Sequence, residues 1–538
     1  VRSRTLPLVL TAGLLAACTG TDDGPDEGDA TVTLSAPGEQ LTVVADDGPA
    51  AASVSTSRVL FERSDVVVVA EADDRAGTLL GSSAAVALGV PLLVVEPGAA
   101  EVADELDRLG ATHVLAVGEV EPPSDGVEVV TAPATPEAVE QATGLRFTGA
   151  EEVPAGADAD AVAGLVADPP VALRGDGTAS SGTSAEGSLP AVQRPDPLED
   201  TFVLATGESV AGIATARAAG ARVVLTGGAT DPRASDDVVT ALSEAPSPSV
   251  VALGAGFAAE DGLDWKTATA LKGDQLPGGG QLLFPGRLIV ALYGHPGTSS
   301  LGLLGEQDLP GAIDRAREVA APYEEVVDTP VVPAFEVIAT VASSGAGEDG
   351  DYSYEAPVEQ LRPWVEAAGE AGLYVVLDLQ PGRTDFLTQA KRYEELLQLP
   401  HVGLALDPEW RLRPDQVHLT EIGQVGVDEV NQVVTWLADL TREAALPQKL
   451  LVLHQFQLRM LPGRERLDLA REELAVMVHA DGQGAPGAKL GTWAALRAEA
   501  QPELAWGWKN FIDEDEPMLS PAETIARVSP TPDLISYQ

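Results

Sequence analysis

Gly403-Leu404-Ala405-Leu406-Asp407-Pro408-Glu409 is an apolar run that leads without a break into two acids. Side chains alternate along a strand, so Ala405, Asp407 and Glu409 are expected on one face and Leu404 and Leu406 on the other. A strand apolar on both faces belongs in a parallel sheet covered by helices. Seven further segments of this kind flank it: Leu288 to Tyr293, Ala334 to Val341, Tyr374 to Leu379, Leu450 to His454, Leu474 to His479, Leu504 to Trp508 and Leu534 to Tyr537. Helical patterns separate them, through Ala312–Ala320, Val358–Ala371, Asp385–Leu397, Asp428–Ala444, Leu467–Glu473, Leu490–Ala498 and Ala522–Val528. Eight such alternations over residues 285–538 predict a closed (β/α)8 TIM barrel.

In a TIM barrel the chemistry gathers at the C-terminal ends of the strands. Those ends carry Tyr293 and His295, Glu336, Asp378, then Asp407, Glu409 and Trp410, then His454 and Gln455, His479 and Asp481, Trp508, and Tyr537. Carboxylates to move protons and flat rings to stack are what a sugar site needs. Trp508 is expected as the floor beneath a sugar, and Tyr293 or Tyr537 as its hydrogen-bond partner.

The strand-four stretch resembles the signature of family 18 chitinases, Asp-Gly-hydrophobic-Asp-hydrophobic-Asp-x-Glu. Gly403, Leu404, Leu406, Asp407 and Glu409 match it; Ala405 stands at the middle Asp and Val402 at the leading one. The resemblance implies that Glu409 is the general acid and that Asp407 orients a substrate N-acetyl group, whose carbonyl attacks the anomeric carbon. A second resemblance is to metal-dependent amidohydrolases, which place histidines where His295, His454 and His479 fall and a Lys or Glu where Glu409 falls. Their His-x-His is here Tyr293-Gly294-His295, and no aspartate ends strand eight. No metal and no other cofactor is assigned from the sequence, although three imidazoles at one mouth could bind zinc.

Upstream, residues 53–260 read as βα units occurring twice. Strand runs at Asp65–Ala70, Gly89–Val95 and His113–Gly118 are followed by a second set at Thr201–Ala205, Ala221–Thr226 and Ser249–Gly254. Gly89-Val90-Pro91-Leu92-Leu93, Ala116-Val117-Gly118, Leu225-Thr226-Gly227 and Val251-Ala252-Leu253-Gly254 resemble the second type of cell-wall-binding repeat of Gram-positive surface proteins. The fold class is thus α/β, an N-terminal Rossmann-like parallel-sheet repeat module followed by the barrel. Residues 167–200, rich in Pro, Gly, Ser and Thr, read as a disordered insertion, and 261–284 as a linker. Gly227-Gly228 is not followed by G-x-G-x-x-G, so no nucleotide site is expected.

Cys18 is the only cysteine, and it closes Leu15-Ala16-Ala17-Cys18 after a short apolar run headed by Arg2 and Arg4. Residues 1–18 resemble a bacterial lipoprotein signal, which implies cleavage before Cys18 and acylation of its sulfur. Residues 19–52 read as a flexible acidic tether. The chain carries 83 acidic and 33 basic residues, a net charge of −50. That charge excludes a nucleic-acid partner, whose phosphates need a basic footprint. The whole resembles lipoproteins of actinobacteria, held on the extracytoplasmic face of the cell membrane with an envelope glycan as partner. The expected activity is hydrolysis of an N-acetylated envelope polysaccharide. The alternatives are a non-catalytic wall-binding or scaffold lipoprotein with a degenerate barrel, and a metal-dependent hydrolase.

Overall fold

A computed structural model describes residues 28–96, 100–120, 126–175, 182, 184–245 and 248–538. The lipoprotein signal and Cys18 lie outside the described residues. Among those residues no helix is long and apolar enough to cross a membrane.

The C-terminal half is a closed barrel. Its strands are β1 (Leu288–Gly294), β2 (Val331–Ala342), β3 (Tyr374–Leu379), β4 (Val402–Leu406), β5 (Lys449–Gln455), β6 (Leu474–Ala480), β7 (Ala505–Asn510) and β8 (Leu534–Tyr537). Each pairs in parallel with the next, and β1 pairs with both β2 and β8, which shuts the ring. The strand alternation expected at β4 is present. Ala405 joins the inner cluster with Ile289, Ala334, Val376 and Val452, while Leu404 and Leu406 join the outer core against the helices. One expected helix does not form: residues 467–473 lie outside any helix. Their charges are spent on neighbours instead, Arg471 on Asp439 and Glu473, and Glu473 on Arg442.

Strand β2 is twelve residues long and overshoots the rim. Its end, Thr340 to Ala342, pairs antiparallel with Ser353–Glu355, so a hairpin stands above the mouth on that side.

The N-terminal half contains two four-stranded parallel sheets. One orders Leu92–Val95, Val66–Glu71, His113–Val117 and Glu128–Ala132. The other orders Arg222–Leu225, Thr201–Ala205, Ser249–Leu253 and Leu41–Val44. The expected tether is therefore structured in its second part. Leu41–Val44 is an edge strand, Ala30–Leu34 pairs with Phe61–Ser64, and a helix runs Pro49–Leu60. Three apolar residues, Leu41, Val43 and Val44, suffice for an edge strand that needs only one neighbour. The expected disordered insertion also gives up structure: Ala172–Gly175 pairs with Ala150–Val153, and Val192–Gln193 pairs with Ala30 and Thr31.

The expected linker is a plug. After the helix Leu263–Lys272, Leu276 and Leu283 enter the inner barrel cluster from the strand-start end. Gln281, fully buried, donates to Thr269 O and Asp274 O at 2.9 Å each. The N-terminal half reaches the same end of the barrel: Lys266 pairs with Glu472, and Lys272 Nζ donates to Ala444 O at 2.8 Å. Leu283→Ala should cost about 2–5 kcal/mol, as for other buried Leu truncations. Urea unfolding should show the loss as a lower midpoint with an unchanged slope; an unchanged midpoint would mean that the plug does not support the barrel.

Candidate functional site

At the C-terminal mouth lies a cavity of about 510 Å³. Tyr293, Asp407, Glu409, Trp410 and Asp481 all line it, as do Gln380, Phe456, Gln457, Lys509, Phe511 and Gln538. Strand β4 ends at Leu406, and Asp407 caps the turn that follows by accepting from the Glu409 N–H at 3.2 Å. That turn carries Glu409 to the cavity. It is held down by Gly423, whose N–H donates to Glu409 O at 2.7 Å. A Cβ on Gly423 would stand 2.5–2.7 Å from three carbonyl oxygens of residues 408–411, so only glycine lets the loop lie this close.

A buried network adjoins the cavity. His454 Nε2 lies 2.8 Å from Glu336 Oε1, and His454 Nδ1 lies 3.0 Å from Asp481 Oδ2. Asp378 Oδ1 is 3.8 Å from His454 Nε2, and its other oxygen accepts from the Tyr293 hydroxyl at 2.8 Å. His479 Nδ1 is 4.0 Å from Glu336 Oε1, while its Nε2 meets Ser536 Oγ at 3.2 Å. Lys509 Nζ sits 3.5 Å from Asp481 and 3.7 Å from the centre of the Tyr293 ring. Gly507 makes room for this group, since a Cβ there would stand 2.4 Å from His479 Cδ2. The donor atoms of Glu336, His454 and His479 all lie within 4.8 Å of one another, the spacing of a metal site. Buried Glu336 Oε2, Asp378 Oδ1 and His479 Nδ1 have no hydrogen-bond partner among the described residues.

Five carboxylates thus meet one lysine and two imidazoles, and the balance shows in their protonation. Burial, the charge of Asp481 and the charge of Asp378 push Glu409 up to about 7 against the relief from Lys509 and His454. Burial likewise lifts Asp378 to about 6, and lifts Asp407 well above the carboxylate range. Burial alone would lower His454, but the carboxylates on its two ring nitrogens raise it well above the ordinary imidazole value. Burial leaves His479 neutral, at about 4.

The strand-end residues divide by parity. Glu336, Asp378, His454, His479 and Asp481 converge. Gln455 points away and braces a loop, its Oε1 accepting from Arg464 at 2.6 Å. Trp508 is in the outer core, edge-on to Trp493 at 5.9 Å, and does not floor the cavity. Tyr537 also faces outward, its hydroxyl 2.6 Å from that of Tyr323. Inward positions alternate with these, which is why Lys509 and Ser536 reach the site and their aromatic neighbours do not. His295 lies in a separate cleft, so the three-histidine set does not assemble; Glu336 takes the place expected of His295. Lys509, the cavity's only cation, and Gln380 are residues that strand-end reading undervalued. A second acidic group, Asp349, Asp351 and Glu355, has metal spacing in the β2 hairpin, but Asp351 already accepts from the Ser353 N–H and Thr384 Oγ1.

No protein-family model matches the chain, and no curated protein matches its sequence. Among solved structures, Cwp6 from Clostridium difficile is similar with a TM-score of 0.30 and 12 % identity. The match covers 69 % of this chain and 63 % of that one, less than two thirds of its length. A likeness of that size carries no argument about fold or function.

Glu409 titrates at about 7 in the fold against an ordinary 4.5, so the folded state holds the extra proton between those values. Its stabilising contribution is whole below pH 4.5 and is lost as pH rises to about 7. Glu409→Gln removes that loss. The variant should therefore gain on the parent by about 1–3 kcal/mol between pH 4 and pH 8. Urea midpoints across that range check it; a constant difference between the two proteins would refute the shift.

Proposed function

We propose that this protein is a hydrolase acting at the barrel mouth, in which Glu336, His454 and His479 hold a divalent metal ion. The observation that carries this reading is the meeting of three donor atoms within 4.8 Å, beside three buried polar atoms without partners. An ion bound at about 2.0–2.1 Å in tetrahedral geometry needs donors about 3.3 Å apart. The Glu336–His454 and Glu336–His479 separations, 2.8 and 4.0 Å, bracket that value. Two imidazoles and a carboxylate suit zinc and its first-row neighbours. Asp481 on His454 Nδ1 is the outer partner that fixes which nitrogen faces an ion.

A divalent ion in such a site polarises a substrate carbonyl or makes bound water more acidic. The remaining work falls to the chain's own groups. Glu409, poised near neutrality, takes a proton from the attacking water and returns it to the leaving atom as the scissile bond breaks. Lys509 donates to oxygen that gains negative charge. Trp410, Phe456 and Phe511 supply flat apolar surface, and Gln380 and Gln457 supply neutral hydrogen bonds. Together these favour an N-acetylated envelope polysaccharide as substrate. The resemblance of residues 1–18 to a lipoprotein signal supports a position on the extracytoplasmic face of the membrane, and the upstream parallel sheets fit a wall-binding role.

A second reading is a metal-free glycosidase with Glu409 as acid. It is favoured by one fact: Asp407 and Glu409 line the cavity directly, whereas Glu336, His454 and His479 are fully buried behind its lining, with His454 joined to it through Asp481.

Full-length protein purified without chelator should carry about one divalent ion per chain by elemental analysis. Glu336→Gln and His479→Ala should lose it. A chelator should stop glycan hydrolysis, and zinc or manganese should restore it. Glu409→Gln should keep the ion while turnover falls about 10²–10⁴-fold. Absence of metal, with hydrolysis indifferent to chelator yet lost in Glu409→Gln, would replace the metal reading with the glycosidase. In the native host, Cys18→Ser should move the protein from the membrane fraction to the medium; retention on the membrane would refute the lipid anchor.

A further inference from the structure

His295 was expected among the residues of the mouth and instead lines a cleft of its own, about 420 Å³ in volume. The cleft is the cavity's neighbour, since Leu301, Val341 and Ala342 line both. Its outer wall is the hairpin raised by the overshoot of β2. There Tyr354, paired with Val341, holds its ring in the open at 54 % exposure, beside Ser343 and Ser344.

The imidazole of His295 is 7 % exposed, and its protonation is fixed by the backbone. The Gly297 N–H donates to Nδ1 at 2.9 Å, so Nδ1 must be the acceptor. Burial keeps the ring neutral, which leaves the single ring proton on Nε2. That Nε2–H is a buried donor with no partner among the described residues. Buried donors are nearly always satisfied, and His295 lines the cleft, so an acceptor that enters the cleft can supply the partner this donor lacks.

The chemistry of that occupant follows from the walls. The cleft's side chains are hydroxyls, aliphatics, a phenol and a neutral imidazole, with no ionised group among them. The adjoining cavity presents Asp407, Glu409 and Asp481 against Lys509 alone, and Lys509 is already beside Asp481. The pair offers a phosphorylated or otherwise anionic polymer no cation free of a carboxylate neighbour. A molecule that is neutral, rich in acceptor oxygens and apolar on one flat face fits both: Ser343, Ser344 and His295 Nε2 meet its oxygens, and Tyr354 covers its C–H face.

We propose that this cleft is a second carbohydrate subsite, in which His295 Nε2 donates to an oxygen of the sugar that follows the two seated in the Glu409 cavity and Tyr354 stacks on its ring. The substrate is then an oligosaccharide strand that crosses the shared Leu301–Val341–Ala342 wall, not a single sugar or a short side group. This rests on the hydrolase reading only in taking the larger cavity as the reacting end.

The test is binding of neutral β-1,4-linked oligosaccharides, both N-acetylglucosamine and glucose series of two to six units, to the full-length chain by calorimetry. Affinity should rise at least tenfold between two and four units in one series. Tyr354→Ala, a change at an exposed position, and His295→Phe, which keeps a ring but removes the donor, should each abolish that rise. Both should leave affinity for the two-unit ligand within about twofold. Equal affinity for all lengths, a length dependence that survives Tyr354→Ala, or no binding in either series would overturn the proposal. The readout needs no turnover. A length dependence that persists in Glu409→Gln and in metal-stripped protein would uphold the subsite even if the hydrolase assignment failed.

Discussion

The pairing of β1 with both β2 and β8 is the constraint on which the site depends. A closed ring sorts side chains strictly, half to the interior and half to the helices. Near the strand starts the interior is aliphatic, with Ile289, Ala334, Val376, Ala405 and Val452 in contact. Toward the strand ends the same inward positions become Glu336, Asp378, His454, His479 and Lys509. An open sheet would spread these groups over tens of ångströms; closure brings residues from β2, β3, β5, β6 and β7 within a few ångströms of one another.

Convergence has an electrostatic consequence. Five carboxylates in or beside one cavity cannot all ionise with only Lys509 and His454 as counter-charges, so protons remain on some of them near neutrality. Burial first, and then the neighbouring carboxylates, hold Glu409 at about 7 and Asp378 at about 6. The arrangement is short of positive charge and long on proton-holding groups. That shortage favours a divalent cation at the Glu336–His454–His479 end and leaves Glu409 as the group able to give or take a proton at the cavity.

The barrel was legible because its strands are unbroken apolar runs. Tyr374–Leu379, Val402–Leu406 and Leu534–Tyr537 have in the structure the bounds that the sequence suggests. The site was legible where alternation was applied, as at Ala405 and Asp407, and illegible where an aromatic residue drew attention from its neighbour. Trp508 and Lys509 are adjacent and cannot both face inward, nor can Ser536 and Tyr537, nor His454 and Gln455. In each pair the small or charged member belongs to the interior, and the bulky or neutral one packs outside. His295 could not be separated from the other histidines by sequence, because the loop after β1 turns it toward the cleft. The strand at Leu41–Val44 was hidden because a short edge strand needs little apolar surface, and Ala30–Leu34, the middle strand of a small three-stranded sheet, because threonines alternate with its apolar residues; composition alone there resembles a tether.

Leu276 and Leu283 close the strand-start end of the ring, and Lys266 and Lys272 seat the N-terminal half against that same end. The two halves therefore work from opposite poles of the barrel. The N-terminal half holds the barrel by its base, with the mouth turned away from it. The cavity at the mouth is accordingly lined by barrel residues alone, and the surface that seats the N-terminal half lies at the far end from it.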